Sequence, residues 1–255
     1  MSRSVGVVVP AYRPDVAQLR TYLTAIDEAL APDTIVVELD APKRGVPERL
    51  SDLPVTVETV PYRRGKGAAV TAGFERLSTD VLVFADADGS TPVGSLVDVV
   101  DPVVAGETDL AVGSRRHPAA EVASHQTFAR RFLGDGFAWL AGRLLDVSLY
   151  DYQCGAKAID AAAWKRVRAH LYEPGFAWDV ELVAMAGALD LRVTEVPIEW
   201  EDRPGSTVSP VRDSFALLRA LLAARHRAKQ LSDDRLHTAI AARRDDPTAL
   251  VERDR

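Results

Sequence analysis

The chain has 255 residues, 47% hydrophobic and 27% charged, enough to bury a core without disulfide or metal staples. These proportions exclude a disordered chain, a collagen-like chain and a coiled coil, and a lone cysteine, Cys154, excludes a disulfide framework or a Cys-rich zinc site. With 31 Lys and Arg against 37 Asp and Glu the net charge is −6, so no nucleic-acid partner is expected.

Met1 to Ser4 is a short polar start that runs into an apolar segment, so no secretory signal is expected. Val5 to Val9 reads as a buried strand stopped by Pro10. Val16, Leu19, Leu23, Ile26 and Leu30 recur at helical spacing over Asp15 to Leu30. Thr34 to Leu39 and Val55 to Val60 read as strands, Gly67 to Leu77 as a helix, and Val81 to Ala85 as a buried strand. Leu96 to Val104 is a helix and Leu110 to Val112 a short strand. This alternation predicts an α/β fold: a mainly parallel central sheet with helices on both faces. Ligands of such sheets sit at the carboxyl ends of strands.

Further on, Phe128 to Leu145 predicts a long helix carrying Arg130, Arg131, Asp135 and Arg143. Ala161 to His170 and Val180 to Leu189 read as helices, and Val193 to Trp200 as a strand. Asp213 to Gln230 is an amphipathic helix with a basic end. Residues 226–255 hold 13 Lys, Arg, Asp or Glu out of 30. The expectation is therefore one domain over 1–230, its last helix (213–230) suited to a membrane interface, and a charged tail over 231–255 that is frayed or disordered. No stretch approaches the ~18 apolar residues that span a bilayer.

Three motifs carry chemistry. In "VLVFADADGSTP", Asp86 and Asp88 follow a buried strand. Side chains two apart on an extended chain share a side, and two carboxylates so placed take a cation between them, Mg²⁺ or Mn²⁺ with a diphosphate. Gly89 gives the turn, and Ser90 or Thr91 caps a helix with Pro92 in its first turn. In "RRGKGAAVTAGF", Gly65 and Gly67 flank Lys66 before a helix, where backbone N–H groups can meet an anion; the Walker A spacing is absent. In "GSRRHP", Arg115 and Arg116 stand where a strand ends, and arginine suits bidentate phosphate binding. Cys154 reads as a small buried hydrophobe. The four tryptophans read as packing, with Trp178, beside Asp179, the one to watch as a sugar- or lipid-facing ring.

"VVVPAY", "GKGAAVTAGF", "ADADGSTP", "GSR", "YDYQCGAKAI", "FAWDVELV" and "VTEVPIEW" followed by "GSTVSPVRD" occur in this order. The ordered set resembles family 2 glycosyltransferases of the polyprenyl-phosphate type over residues 4–226. The dolichyl-phosphate β-glucosyltransferases come first and the mannosyltransferases next. The resemblance implies the GT-A fold. It also implies inverting transfer of a sugar, glucose favoured, from UDP-glucose or GDP-mannose to a polyprenyl or dolichyl phosphate at the cytoplasmic face of a membrane. Peripheral attachment or a membrane-anchoring partner would bring the chain there.

Carried over residue by residue, it assigns Asp86, Asp88 and Ser90 to the metal, and Pro10, Ala11, Tyr12 and Lys66, again with Asp86, to the donor. Arg115 and Arg130 go to the acceptor phosphate and, with Asp86 and Asp88, to catalysis; Gln153, Cys154 and Gly155 lie beside the sugar pocket; Asp179 and Glu181 match the family's Asp-x-Glu pattern, with Asp179 expected at the acceptor-phosphate or sugar pocket. The chain departs from the pattern at Arg13-Pro14, at "VELDAP", at Tyr152 and Ala156, and at Thr207. Asp40, or Glu38, stands in for the acid that reads the base or ribose, and Arg203 or Arg212 for a missing cation. Transfer of mannose, a different glycan acceptor, and a sugar-nucleotide binder without catalysis stay open as alternatives. A dehydrogenase of the dinucleotide-binding type lacks its glycine fingerprint here.

Overall fold

The computed structural model describes residues 3–122, 128–201, 210–232 and 248–253, with the backbone alone for 122, 128–134 and 210–215. Strands β1 (Val5–Tyr12), β2 (Thr34–Asp40) and β4 (Val81–Ala85) are buried along most of their length, as a sheet covered on both faces requires. With β3 (Thr56–Val60), β5 (Leu110–Ser114), β7 (Ala156–Asp160) and β8 (Val193–Pro197) they form one sheet in the order β3-β2-β1-β4-β7-β5-β8. Val8 lies opposite Val36 on one side and Phe84 on the other, both in parallel register. Strand β7 alone runs antiparallel, with Ala156 opposite Ala85. Sequence patterning missed it, because Gly155, Ala156 and Lys157 break the apolar run. A second, two-stranded sheet pairs β6 (Glu121–Val122) with β9 (Glu199–Trp200). The single strand expected over 193–200 thus divides at Ile198, whose N–H donates to the Ser114 carbonyl at 3.1 Å.

Period-two alternation gives the sheet two cores. Val7, Val9, Val37, Val83 and Ala85 meet Leu19 and Leu23 of α1 (Val16–Leu30) and Leu96 and Val99 of α3 (Val93–Val104). Val8, Val36 and Phe84 meet Phe74 of α2 (Lys66–Arg76), Trp164 of α5 (Ala161–Val167) and Trp178 and Leu182 of α6 (Trp178–Ala188). Asp15 caps α1 by accepting from the Ala17 and Gln18 N–H groups at 2.9 and 3.1 Å. Helix α3 starts at Val93 with Pro92 in the cap position, so neither Ser90 nor Thr91 caps it. The Ser90 N–H is turned to Asp88 instead, and its carbonyl accepts from Glu201.

Helices α4 (Phe128–Leu144) and α7 (Pro210–Leu231) pack on each other, and α7 also packs on α6. Among the described residues no helix is long and apolar enough to cross a membrane. Part of the charged tail departs from expectation. Ala249 and Leu250 are buried at the start of α8 (Leu250–Arg253), and the Leu250 N–H donates to the Leu171 carbonyl at 2.8 Å. Two apolar side chains and one backbone bond fix this end; residues 233–247 lie outside the described residues.

Trp178 corrects a further expectation. Its side chain is 0% exposed. It meets Phe84 edge-on at 5.6 Å and Phe74 at 6.4 Å, and its indole N–H donates to Thr71 at 3.1 Å. A ring whose polar handle is satisfied inside the core is not a sugar or lipid platform. Trp178→Ala is expected to destabilise the fold by about 3–5 kcal/mol, read as a lowered midpoint in urea unfolding.

Candidate active site

Strand β4 ends at Ala85, and Asp86 to Asp88 then turn rather than continue extended. Gly89 takes a left-handed φ of 61°. Asp88 Oδ1 accepts from the Ser90 N–H at 2.9 Å, and the Asp88 carbonyl accepts from Gln18 Nε2 at 2.5 Å. The carboxylates therefore owe their proximity to a turn, not to strand periodicity. The Asp86 N–H donates to the Gly155 carbonyl at 2.9 Å. A Cβ on Gly155 would lie 1.9 Å from Asp86 Oδ2. The glycine of "QCG" is thus the surface against which Asp86 rests.

The Gly-Lys-Gly loop does different work from that expected of it. The Gly65 N–H donates to Asp40 at 3.0 Å and the Ala68 N–H to the Pro174 carbonyl at 3.1 Å. Two of the amides expected to meet an anion are thus engaged within the protein. Gly65 has φ 101°, and a Cβ there would stand 2.4 Å from the Pro174 oxygen; one on Gly67 would stand 2.5 Å from the Glu173 oxygen and from Trp178 Cβ. The glycines let α2 dock on the 173–178 loop. What the loop presents to the site is Lys66 Nζ, 3.0 Å from Asp86 Oδ1 and 2.9 Å from Asp179 Oδ2.

Asp179, at the start of α6, is buried and also accepts from Lys157 Nζ of β7 at 2.6 Å. Burial alone would raise its carboxyl; Lys157 and Lys66 outweigh burial and hold it below the ordinary range. Asp86 goes the other way. Desolvation raises it, Asp88 and Asp179 add to the rise, and Lys66 opposes them. Asp86, Asp88 and Ser90 offer only oxygen donors, the set that suits Mg²⁺ or Mn²⁺. Among the described residues no cluster of three or more His, Cys, Asp or Glu forms a metal site. The two carboxylates fit a cation that takes its remaining ligands from water and substrate.

Arg115, at the end of β5, grips Asp151 through Nε at 2.7 Å and Nη2 at 3.1 Å, and its guanidinium lies 5.6 Å from the Trp200 ring centroid. Burial would raise the Asp151 carboxyl; Arg115 outweighs that and holds it at about 2. Asp151 also accepts from the Gln153 N–H at 3.0 Å, which fixes the loop before β7. Nη1 of Arg115 is left outside the pair. The Cys154 thiol is buried and pushed up to about 11 by desolvation and Asp151, as a packing residue rather than a nucleophile. The side chains of Arg130 and Arg212, like Arg203, lie outside the described residues.

Pro10, Ala11 and Tyr12 end β1, with Tyr12 in register opposite Asp40. The Tyr12 ring is exposed, with the Arg63 and Arg13 guanidinium groups 4.4 and 5.2 Å from its centroid. Asp40, read as the acid for base or ribose, is already engaged. It accepts from the Arg64 and Gly65 N–H groups at 2.7 and 3.0 Å and from Arg64 Nε at 2.8 Å. Glu38 is buried against Arg64 at 2.7 Å and Arg76 at 3.1 Å. Both acids are therefore braces of the loop that carries Lys66. Glu181 has a similar part: it accepts from the Tyr172 and Glu173 N–H groups at 2.7 and 2.8 Å and pairs with Arg227. Sequence reasoning missed Lys157 and Arg64, because each is defined by a partner on another element.

Two outcomes are expected. Gly155→Ala displaces the Asp86 carboxylate and lowers catalytic turnover at least about tenfold, since a misplacement near 1 Å is enough to cost that much, while circular dichroism stays that of the parent. Asp151 has a depressed folded pKa. Its stabilising contribution is therefore present above the unfolded carboxyl range near 4 and is lost as pH falls from there toward about 2. Urea unfolding of the parent and of Asp151→Asn should differ at pH 7 and converge across that window.

The model for "Glycosyl transferase family 2" matches residues 6–140, more than half of the chain. "Glycosyltransferase AglD" of Haloferax volcanii is 29% identical over 223 residues, covering 84% of this chain and 35% of its own. The dolichyl-phosphate beta-glucosyltransferase of Saccharomyces cerevisiae is 32% identical over 170 residues, 62% of this chain and 51% of its own. The chain thus spans about half or less of the length of these curated relatives. Among solved structures, glucosyl-3-phosphoglycerate synthase of Mycobacterium tuberculosis, in complex with Mn²⁺, UDP-glucose and phosphoglyceric acid, superposes with a TM-score of 0.65 at 16% identity. The match covers 88% of this chain and 80% of that one. The sheet order and this likeness are those of the GT-A fold. By the family match, which runs through β1, β4 and the Asp86–Asp88 turn, the chain belongs to glycosyltransferase family 2.

Proposed function

We propose that the chain transfers a hexose, glucose in first place, from a nucleoside diphosphate sugar to a polyprenyl phosphate at the cytoplasmic face of a membrane. The observation that carries this reading is the Asp86 carboxylate at the carboxyl end of β4, set between Lys66 and Asp88. The relatives named for dolichyl-phosphate glucosyl transfer support the acceptor and the sugar. The UDP-glucose complex of the similar fold supports a uridine donor.

Asp86 and Asp88, with the Ser90 hydroxyl, would hold Mg²⁺ or Mn²⁺, which when bound offsets charge on the leaving diphosphate. The remaining work falls to side chains of this chain. Pro10, Ala11 and Tyr12 wall the nucleotide, and Lys66 faces the diphosphate. Arg115, stiffened by Asp151, directs Nη1 to the acceptor phosphate, with Arg130 and Arg212 as further cations and Gln153 beside the sugar. A phosphate monoester has its second pKa at about 6, so the acceptor is already anionic and needs no protein base. One acceptor oxygen bonds to the anomeric carbon as the bond to the diphosphate oxygen breaks. The electron pair leaves with the nucleoside diphosphate, and the anomeric centre inverts.

Trp139 of α4 and Leu218 and Leu222 of α7 are exposed on two helices that pack together, and Arg143 lies over the Trp139 ring at 5.1 Å. An apolar face flanked by arginine suits a helix pair lying in the interface. A membrane-anchoring partner is the alternative means of attachment.

The test is a transfer assay with polyprenyl phosphate, Mg²⁺ or Mn²⁺, and labelled UDP-glucose or GDP-mannose in parallel. Label entering the organic phase from UDP-glucose is expected, and Asp88→Ala should lower it at least about a hundredfold. Label from GDP-mannose alone would replace the sugar. Nucleotide binding without transfer from either donor would point to another acceptor or to a binder without catalysis.

A further inference from the structure

Four charged groups run from the cleft into the core. Lys157 Nζ, 1% exposed, donates to the Cys154 carbonyl at 2.7 Å and to Asp179 Oδ1 at 2.6 Å. Asp179 Oδ2 accepts from Lys66 Nζ at 2.9 Å, and Lys66 Nζ reaches Asp86 Oδ1 at 3.0 Å. Both ammonium groups stand near the Phe84 ring, at 4.9 and 5.5 Å from its centroid. The inner members are sealed: Asp179 and Lys157 are almost wholly buried and each is held by two bonds. The outer contact is different, since the Asp86 side chain is 40% exposed and opens to solvent at the carboxyl end of β4. Lys66 therefore has one fixed partner and one that a competitor from solvent can take.

Resting on the reading of Asp86 and Asp88 as cation ligands, we propose that Lys66 is an exchangeable internal counter-ion of Asp86. It occupies the carboxylate until a divalent cation takes it, and Asp179, anchored by Lys157, keeps the released ammonium at the cleft for the donor diphosphate. Lys157 and Asp179 are then positioning residues. Without nucleotide, Lys66 and the cation compete for one carboxylate, so Lys66 weakens cation binding. With a diphosphate present the released ammonium gains a new anion, and the opposition becomes support. Linkage requires the same reversal in nucleotide affinity when the cation is added.

The experiment measures Mn²⁺ binding by electron paramagnetic resonance of the free ion, with and without UDP. It compares the parent with Lys66→Met, Lys157→Met and Asp86→Asn. Lys66→Met leaves Asp179 its bond from Lys157 Nζ at 2.6 Å; Lys66→Gln, which can still donate to the freed oxygen, makes the same comparison if the Met variant does not fold. Without nucleotide, Lys66→Met is expected to bind Mn²⁺ at least about fivefold tighter, the lower end of ordinary coupling between sites. The gain in Mn²⁺ affinity that UDP brings to the parent should shrink by a similar factor. Lys157→Met removes a charge that does not touch Asp86. It should change nucleotide-free Mn²⁺ affinity less than Lys66→Met does, yet still reduce the coupling to UDP, because Asp179 is no longer anchored.

Unchanged or weaker Mn²⁺ binding in Lys66→Met would overturn the exchange. Equal tightening in the two lysine variants would overturn it as well, since a general charge effect would then suffice. If the parent takes up no Mn²⁺ with or without UDP, or Asp86→Asn binds as the parent does, the reading of Asp86 as a cation ligand falls first and the exchange with it.

Discussion

Asp179 holds two ammonium groups inside the core, both beside the Phe84 ring. A buried carboxylate with one cation is already a poor exchange for hydration, because desolvation of both ions offsets most of their attraction. Here the second lysine supplies the missing compensation, and both oxygens are used, at 2.6 and 2.9 Å. The arrangement joins three elements that no backbone hydrogen bond joins: Lys157 from β7, Lys66 from α2 and Asp179 from α6. Removal of either end leaves a buried charge short of a partner, so the position of α2 against α6 and the position of Lys66 at the cleft are set together.

The same economy recurs along the carboxyl ends of the strands. Arg64 joins Glu38 and Asp40 at the end of β2, and Arg115 joins Asp151 beside β5. In each set the carboxylates are almost fully buried and the guanidinium gives them two of its nitrogens, Nε and Nη2, which suits arginine better than lysine. These pairs are structural braces first. They stiffen the loops that bear Lys66 and Gln153, so the cleft acquires its charge pattern from groups whose positions are already over-determined. Glu38, Asp40 and Asp151 are buried in their pairs, whereas Asp86 opens to solvent.

How much of this was legible follows from where the information lies. Continuous apolar runs gave away β1, β2 and β4, and helical spacing gave α1, because those signals are local. Asp86 and Asp88 stood out for the same reason: a buried run that ends in two acids. That the chain already turns at Asp86, ahead of Gly89, was not legible, since Asp-Ala-Asp after a strand reads equally well as its extended continuation. Strand β7 was missed because it is antiparallel, short and interrupted by Gly155 and Lys157, whose presence is explained only by Asp86 and Asp179 pressing on them from other elements. Trp178 was misread as a ligand platform for a like reason: its neighbours Phe74 and Thr71 sit more than a hundred residues earlier. Asp40 has its partners Arg64 and Gly65 closer by, yet the sequence marks the acid and not the donors that hold it.

The glycines settle what the sequence motif means. Gly65 and Gly67 lie within 2.4–2.5 Å, measured from an added Cβ, of the 173–178 loop, and Gly155 within 1.9 Å of Asp86. Side chains at those three positions would push apart α2 and the loop before α6, and β7 and the turn after β4. Close backbone approach is therefore the common device. It brings the three elements near enough for short lysine–carboxylate contacts, and those contacts in turn place the ammonium of Lys66 at Asp86. A motif that reads as a phosphate-binding turn acts here one step earlier, as the joint that delivers the cation.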